Sequence, residues 1–232
     1  MTKLLYWYDS YLKEFEATVI RIDGNRVVLD KTAFHPRSGG VDCDTGKIFW
    51  ENEEYIVKEV IKEDKEVLHI LDREPKFKEG DVVKGYIDWD RRYRLMKLHT
   101  AAHILSAVLY KDYNALITGG DITPEYARDD YSLSIENWRD AFERAVEEVN
   151  KIIEMGIPVK IYFMKREEAM KIPGIVKLME KMPPDIDEWR IVEIEGIDIQ
   201  ADGGPHVSNT KEIGGIKILK LENRGKNRKR IY

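Results

Sequence analysis

The hydrophobic period of this chain changes once, near Asp88, and that change limits the folds open to it. Up to that point apolar residues come in short alternating runs: Phe15 to Ile22, Val27-Val28-Leu29, Lys47 to Trp50, Tyr55 to Ile61, Val67 to Leu71 and Val82 to Trp89. Alternation turns one face of each run toward a core, the signature of half-buried strands. Asp23-Gly24-Asn25 joins the first two runs as a hairpin turn, and Gly80-Asp81 marks another turn. Several short strands at this spacing predict a small β-barrel over residues 1–88. Beyond it, Leu95, Leu98, Ala102, Leu105 and Leu109 recur three and four residues apart with no Gly or Pro before Gly119, which predicts a long helix capped by Asp90. A second helix, starting near Ser134, carries Trp138, Phe142, Ala145, Val149 and Ile152 on one stripe until Gly156 stops it. Pro158 to Phe163, Trp189 to Ile194 and Ile213 to Leu221 read as strands, and Pro173 with Pro183-Pro184 interrupts a short helical region. The expected fold class is therefore α+β: a small N-terminal barrel, then an α+β domain over residues 89–232.

Composition excludes several functions. The single cysteine, Cys43, rules out a disulfide scaffold and any site built from several thiolates, so a metal must be held by His and carboxylate. No apolar run is long enough to span a bilayer and no basic segment precedes an apolar one at the N-terminus, which gives a cytoplasmic expectation with no membrane contact. A net charge of −5 argues against coating nucleic acid by bulk electrostatics. Two local clusters could still meet phosphate: Arg91, Arg92, Arg94 and Lys97, and the run Arg224 to Arg230.

Five histidines are present, and His99 and His103 stand four apart on the first predicted helix, where two imidazoles share one face and can meet one ion. Such a pair is also common on ordinary helix surfaces, and Thr100 occupies the place where zinc proteases carry a glutamate. A second cluster, Gln200-Ala-Asp-Gly-Gly-Pro-His-Val-Ser-Asn-Thr210, contains a sharp Gly-Gly-Pro turn presenting Asp202 and His206 from its opposite ends. By itself it also fits a solvated surface turn. Taken together, the clusters offer four candidate ligands, the number that tetrahedral zinc accepts.

Three blocks in order, Thr32 to Gly46, His99 to His103 and Asp202 to Gly214, resemble the freestanding alanyl-tRNA editing proteins called AlaX, which are similar to the editing domain of alanyl-tRNA synthetase. The resemblance covers nearly the whole chain. It implies that the domain over residues 89–232 edits aminoacyl-tRNA with one zinc ion held by His99, His103, Asp202 and His206. The implied activity is hydrolysis of Ser-tRNA(Ala), with Gly-tRNA(Ala) as a second substrate, in trans and without ATP. Gly39, Gly40, Thr32 and Thr100 are the candidate substrate-binding residues, and Arg228, Lys229 and Arg230 the candidate tRNA contacts. The implied partner is the acceptor end of tRNA(Ala); no obligate protein partner is indicated. The chain departs from the family pattern where Asp202 replaces a ligating cysteine, where Pro205 replaces threonine and where Val41 replaces a glutamine. Asp202 has two open roles, zinc ligand or partner that orients a ligand. Alternatives to the implied function are an editor of another mischarged tRNA, of the threonyl-tRNA type, and a non-enzymatic RNA-binding module with structural zinc. No catalytic residue is named, and Cys43 reads as structural.

Overall fold

The computed structural model describes residues 1–173, 175 and 187–232, so the expected break at Pro183-Pro184 lies outside the described residues. Two compact units emerge, Met1–Leu95 and Met96–Tyr232. In the first, β1 (Glu14–Asp23), β2 (Arg26–Leu29), β3 (Gly46–Trp50), β4 (Glu53–Glu63), β5 (Glu66–Leu71) and β6 (Val82–Ile87) form a closed barrel in the order β1-β2-β5-β4-β3-β6. Every neighbouring pair is antiparallel. Alternate side chains such as Phe15, Ala17 and Val19 on β1 and Tyr55 and Val57 on β4 point inward, joined by Leu29, Phe34 and Ile48 in one core. Closure leaves no unpaired edge.

A neutral polar pair sits in this unit's interior. Thr32 donates from Oγ1 to His69 Nε2 at 2.8 Å, and His69 donates from Nδ1 to the Val27 carbonyl at 3.0 Å. Both side chains are fully buried, and burial lowers the His69 pKa to about 4. A histidine kept neutral when folded lets the unfolded chain bind more protons between its ordinary pKa and the folded one. The stability is therefore complete above pH 6.5 and falls as pH drops toward 4, by about 3 kcal/mol in total. Urea unfolding across this range should show that slope, and His69→Asn, which keeps a donor for Val27, should flatten it. A slope equal in both proteins removes His69 as its cause.

The helix α1 (Trp89–Tyr113) runs from the end of the first unit into the second. Its cap is Asp88, whose Oδ1 accepts from the Arg91 amide at 3.3 Å, not Asp90, which lies inside the first turn. From His99 to Leu109 every residue is buried, so this stretch is a core helix without a solvent face. In the second unit follow β7 (Ile117–Ile122), β8 (Ala127–Tyr131), α2 (Trp138–Glu154), β9 (Val159–Lys165), β10 (Glu188–Ile194), β11 (Asp198–Ala201), β12 (Leu221–Asn223) and β13 (Lys229–Ile231). They form two antiparallel sheets, β12-β13-β8-β7 and β9-β10-β11. The α2 stripe from Trp138 to Ile152 is buried as its spacing predicts, although the helix begins at Trp138.

The expected strand Ile213 to Leu221 does not form. Asn209 and Glu212 close a capping box on a short turn, Thr210–Ile213. Farther on, the Asn150 side chain of α2 both donates to the Ile216 carbonyl at 3.0 Å and accepts from its amide at 2.8 Å. A side-chain amide thus takes the hydrogen bonds that a strand neighbour would otherwise supply. Only the end of the run, from Leu221, pairs in a sheet.

Candidate metal centre

Two elements of the second unit bring the candidate ligands together. On α1, His99 and His103 place their ring centroids 4.9 Å apart. Just past β11, the turn carrying Asp202 and His206 folds back so that the His206 ring lies 4.1 Å from His99 and 4.7 Å from His103. The ligand atoms of all four lie within 4.8 Å of one another. Around Asp202 Oδ1, the Nε2 atoms of His99, His206 and His103 stand at 3.2, 3.3 and 3.6 Å. A tetrahedron with bonds of about 2.0–2.1 Å has edges of about 3.3–3.4 Å, so these separations match those of ligands around one zinc-sized ion.

The turn dictates which oxygen of Asp202 faces the imidazoles. Oδ2 accepts from the Gly204 amide at 2.7 Å, which leaves Oδ1 directed at the three rings. Gly204 must lack a side chain here, because a Cβ would stand 2.6 Å from His99 Cε1. Each imidazole is held from behind at Nδ1. His99 Nδ1 meets the Pro205 carbonyl at 3.3 Å, His103 Nδ1 meets Asp198 Oδ2 at 3.1 Å, and His206 Nδ1 meets Thr100 Oγ1 at 3.0 Å. A carbonyl and a carboxylate only accept, so His99 and His103 carry the proton at Nδ1. The Thr100 hydroxyl already donates to the Met96 carbonyl at 2.9 Å and therefore accepts from His206 as well. In their neutral forms the three rings aim Nε2 lone pairs at the same point as a carboxylate oxygen. That donor set fits a divalent cation and lacks a donor of its own at the centre.

Without an ion, the charges interlock strongly. Burial raises the Asp202 carboxyl, but the three imidazoles outweigh it and hold the pKa well below the usual range. Burial lowers His103, but Asp198 and Asp202 outweigh this and bring it to about 9. Burial and the nearby His99 hold His206 well below the ordinary imidazole value. Asp129, buried on β8, is pushed up to about 6 by desolvation, against the opposing charge of His103.

Other candidate residues fare differently. Thr100 is fully buried with its hydroxyl committed to Met96 and His206, so it supports a ligand and has no free face for substrate. Thr32 is likewise sealed inside its own unit against His69. Gly39 and Gly40 form a two-residue turn with φ of 59° and 85°, closed by reciprocal Ser38 and Val41 backbone bonds. Cys43 is buried and desolvation raises its thiol pKa, which suits a structural residue. Of the phosphate candidates, Arg91 binds Asp42 and the Cys43 carbonyl, and Arg92 is fully buried on Asp44. Lys229 is buried, donating to the carbonyls of Gly225 and Lys226, and Arg230 grips Asp130 with two bonds of 2.6 and 2.9 Å. Arg228 keeps 48% of its side chain exposed. Asp198 joins the site from outside the Gln200 to Thr210 cluster, though Asp198-Ile-Gln-Ala-Asp202 alternates polar and apolar residues with the period of a strand.

The comparisons with known proteins decide the family. The chain is 56% identical to the alanyl-tRNA editing protein AlaX-M of Saccharolobus solfataricus, over 100% of this chain and 98% of that one. It belongs to the AlaX-M alanyl-tRNA editing proteins. AlaX-M of Methanosarcina barkeri is 45% identical over the same shares. An alanine–tRNA ligase from Ignicoccus hospitalis is 39% identical over 94% of this chain but only 24% of its own length, so the AlaX-M chain corresponds to one segment of that ligase. Residues 8–91 match the class II (A) tRNA synthetase family, and residues 189–232 match the second additional domain of threonyl and alanyl tRNA synthetases. The second match contains Asp202 and His206. Among the described residues, no helix is long and apolar enough to cross a membrane.

Proposed function

We propose that this aminoacyl-tRNA deacylase hydrolyses Ser-tRNA(Ala), and Gly-tRNA(Ala) as a second substrate, using one zinc ion held by His99, His103, Asp202 and His206 in a domain over residues 89–232. The observation that carries the reading is the convergence of three Nε2 atoms and one carboxylate oxygen in a chain of the AlaX-M family. Editing of serine has a physical rationale. An alanine pocket rejects a side chain with one added hydroxyl only weakly, so a second site is needed to remove the wrong ester. The ester itself is activated by the neighbouring ribose hydroxyl and needs moderate catalysis. Zinc bound here supplies a Lewis-acidic centre for the ester carbonyl or an anchor for the substrate amino group. The chain's own part is to fix the three imidazoles through Pro205, Asp198 and Thr100, and Asp202 through Gly204.

Gly39 and Gly40 remain the proposed contact for the aminoacyl or terminal adenosine group, because their turn lets backbone approach a ligand closely. Arg228, half-exposed although it lies 3.9 Å from Asp130, is the proposed tRNA contact of the C-terminal run, since Lys229 is buried and Arg230 holds Asp130 more closely. A second reading, an RNA-binding module with structural zinc, is favoured by one feature: four protein donors close a tetrahedron without an open position. Incubation with Ser-, Gly-, Ala- and Thr-tRNA side by side separates the readings. The seryl ester should be lost and the alanyl ester spared by a factor of about 100 or more, and dialysis against a chelator should abolish turnover. An unchanged seryl-ester half-life favours the RNA-binding module, and preferential loss of another ester moves the substrate assignment.

A further inference from the structure

We propose that Asp198 is a positioning residue that makes His103 a strong metal ligand and contributes to the charge balance of the centre. The proposal rests on the reading of His99, His103, Asp202 and His206 as a metal site. The three imidazoles are held by chemically different acceptors: a peptide carbonyl for His99, a hydroxyl for His206 and a carboxylate for His103. The carboxylate draws the Nδ1 proton toward itself more strongly than a neutral acceptor and so pushes electron density onto Nε2. It also holds the ring in the tautomer whose lone pair faces Asp202 Oδ1.

The location of Asp198 supports a role beyond packing. Its side chain is 0% exposed, and burying an anion is costly unless other charges and hydrogen bonds compensate. Oδ2 accepts from His103 at 3.1 Å and from Nε2 of Gln200, the lone glutamine of the chain, at 2.9 Å. A divalent ion beside Asp202 alone leaves a buried net charge of about +1, which Asp198 behind His103 helps to offset together with buried Asp129. Strand geometry delivers the whole set. Residues 198, 200 and 202 alternate along β11 and its extension, so the anchor, its brace and a ligand share one face. Ile199 and Ala201, on the other face, pack against the apolar cluster of Ala169, Ile175, Trp189 and Ile191.

The experiment compares the zinc-loaded full chain with Asp198→Asn, which retains an acceptor oxygen and removes the charge. Zinc affinity is measured by competition with a chromophoric chelator, and the histidine Nδ1–H resonances are recorded by NMR. The variant should bind zinc about 10–100-fold more weakly, with the His103 Nδ1–H resonance shifted and those of His99 and His206 nearly unmoved. In the parent, that His103 proton should resonate downfield of the other two. This measurement stands even if the variant does not fold. Affinity within twofold of the parent with an unmoved resonance overturns the proposal, as does a parent in which the His103 proton is not the most deshielded. A parent that binds no zinc overturns the metal reading itself, whereas a zinc-binding parent with an unaffected variant overturns only the role of Asp198.

Discussion

Asp202→Asn is expected to lower zinc affinity by about 100-fold or more and to leave the fold intact, because a neutral amide is a poor zinc ligand. The two carboxylate oxygens have separate tasks, and an amide can perform only one of them. Oδ2 accepts from the Gly204 amide while Oδ1 faces the three Nε2 atoms. If the asparagine oxygen takes the Gly204 bond, its NH2 group points into the centre and occupies the lone pairs that should bind the ion. If it is reversed, the NH2 group confronts the Gly204 N–H, donor against donor. Even the first orientation removes the charge that Asp202 sets against the imidazoles, so thermal stability after chelation should fall below that of the parent. Zinc content after dialysis and deacylation rate, measured on one preparation, separate the two roles open to this side chain. Full zinc with impaired turnover assigns Asp202 to the reaction and not to the ion, and normal values for both remove it from the site.

The parts of this fold that can be read from the sequence are those set by local periodicity. Barrel strands alternate because each buries one face, and the α2 stripe follows the helical period because Trp138, Phe142 and Val149 face one core. His99 and His103 are similarly constrained by their own helix. The rest is settled by residues far away in sequence. Lys229 and Arg230 look like part of a solvated basic run, yet they form a strand because Ala127–Tyr131 offers it an edge and Asp130, 100 residues distant, neutralises Arg230. Ile213 to Leu221 has the composition of a strand, but Asn150 satisfies Ile216 instead of a neighbouring backbone. Asp198 resembles any strand-edge carboxylate until His103, 95 positions earlier, is placed against it. Thr100 reads in the sequence as a pocket hydroxyl, and only the tertiary structure reveals that its proton is spent on Met96 and its lone pair on His206.

The Arg91 to Lys97 cluster shows how the same ambiguity misassigns a charge, and Arg92 is expected to carry the largest stability effect of any cation in the first unit. Its guanidinium and the Asp44 carboxylate are both 0% exposed. Nε lies 2.9 and 3.1 Å from the two Asp44 oxygens, Nη1 donates to the Ser10 carbonyl at 2.9 Å, and Nη2 donates to the Ala33 carbonyl and to Asp44. One side chain therefore fastens segments around Ser10, Ala33 and Asp44 to the start of α1. Arg92→Met retains much of the volume but takes the cation from the buried Asp44 carboxylate, which keeps only neutral partners such as the His35 amide, and removes the guanidinium bonds to the Ser10 and Ala33 carbonyls, at a cost of about 3–5 kcal/mol. Adding Asp44→Asn should recover part of this loss, since the uncompensated charge is then gone while the guanidinium bonds to Ser10 and Ala33 stay lost. Urea unfolding of the two variants measures both effects. A phosphate contact makes a different prediction: an unchanged unfolding free energy and a salt dependence of tRNA binding reduced by about one unit of slope. If Arg92→Met unfolds like the parent but loses that slope, Arg92 faces RNA and the buried pair does not exist in solution.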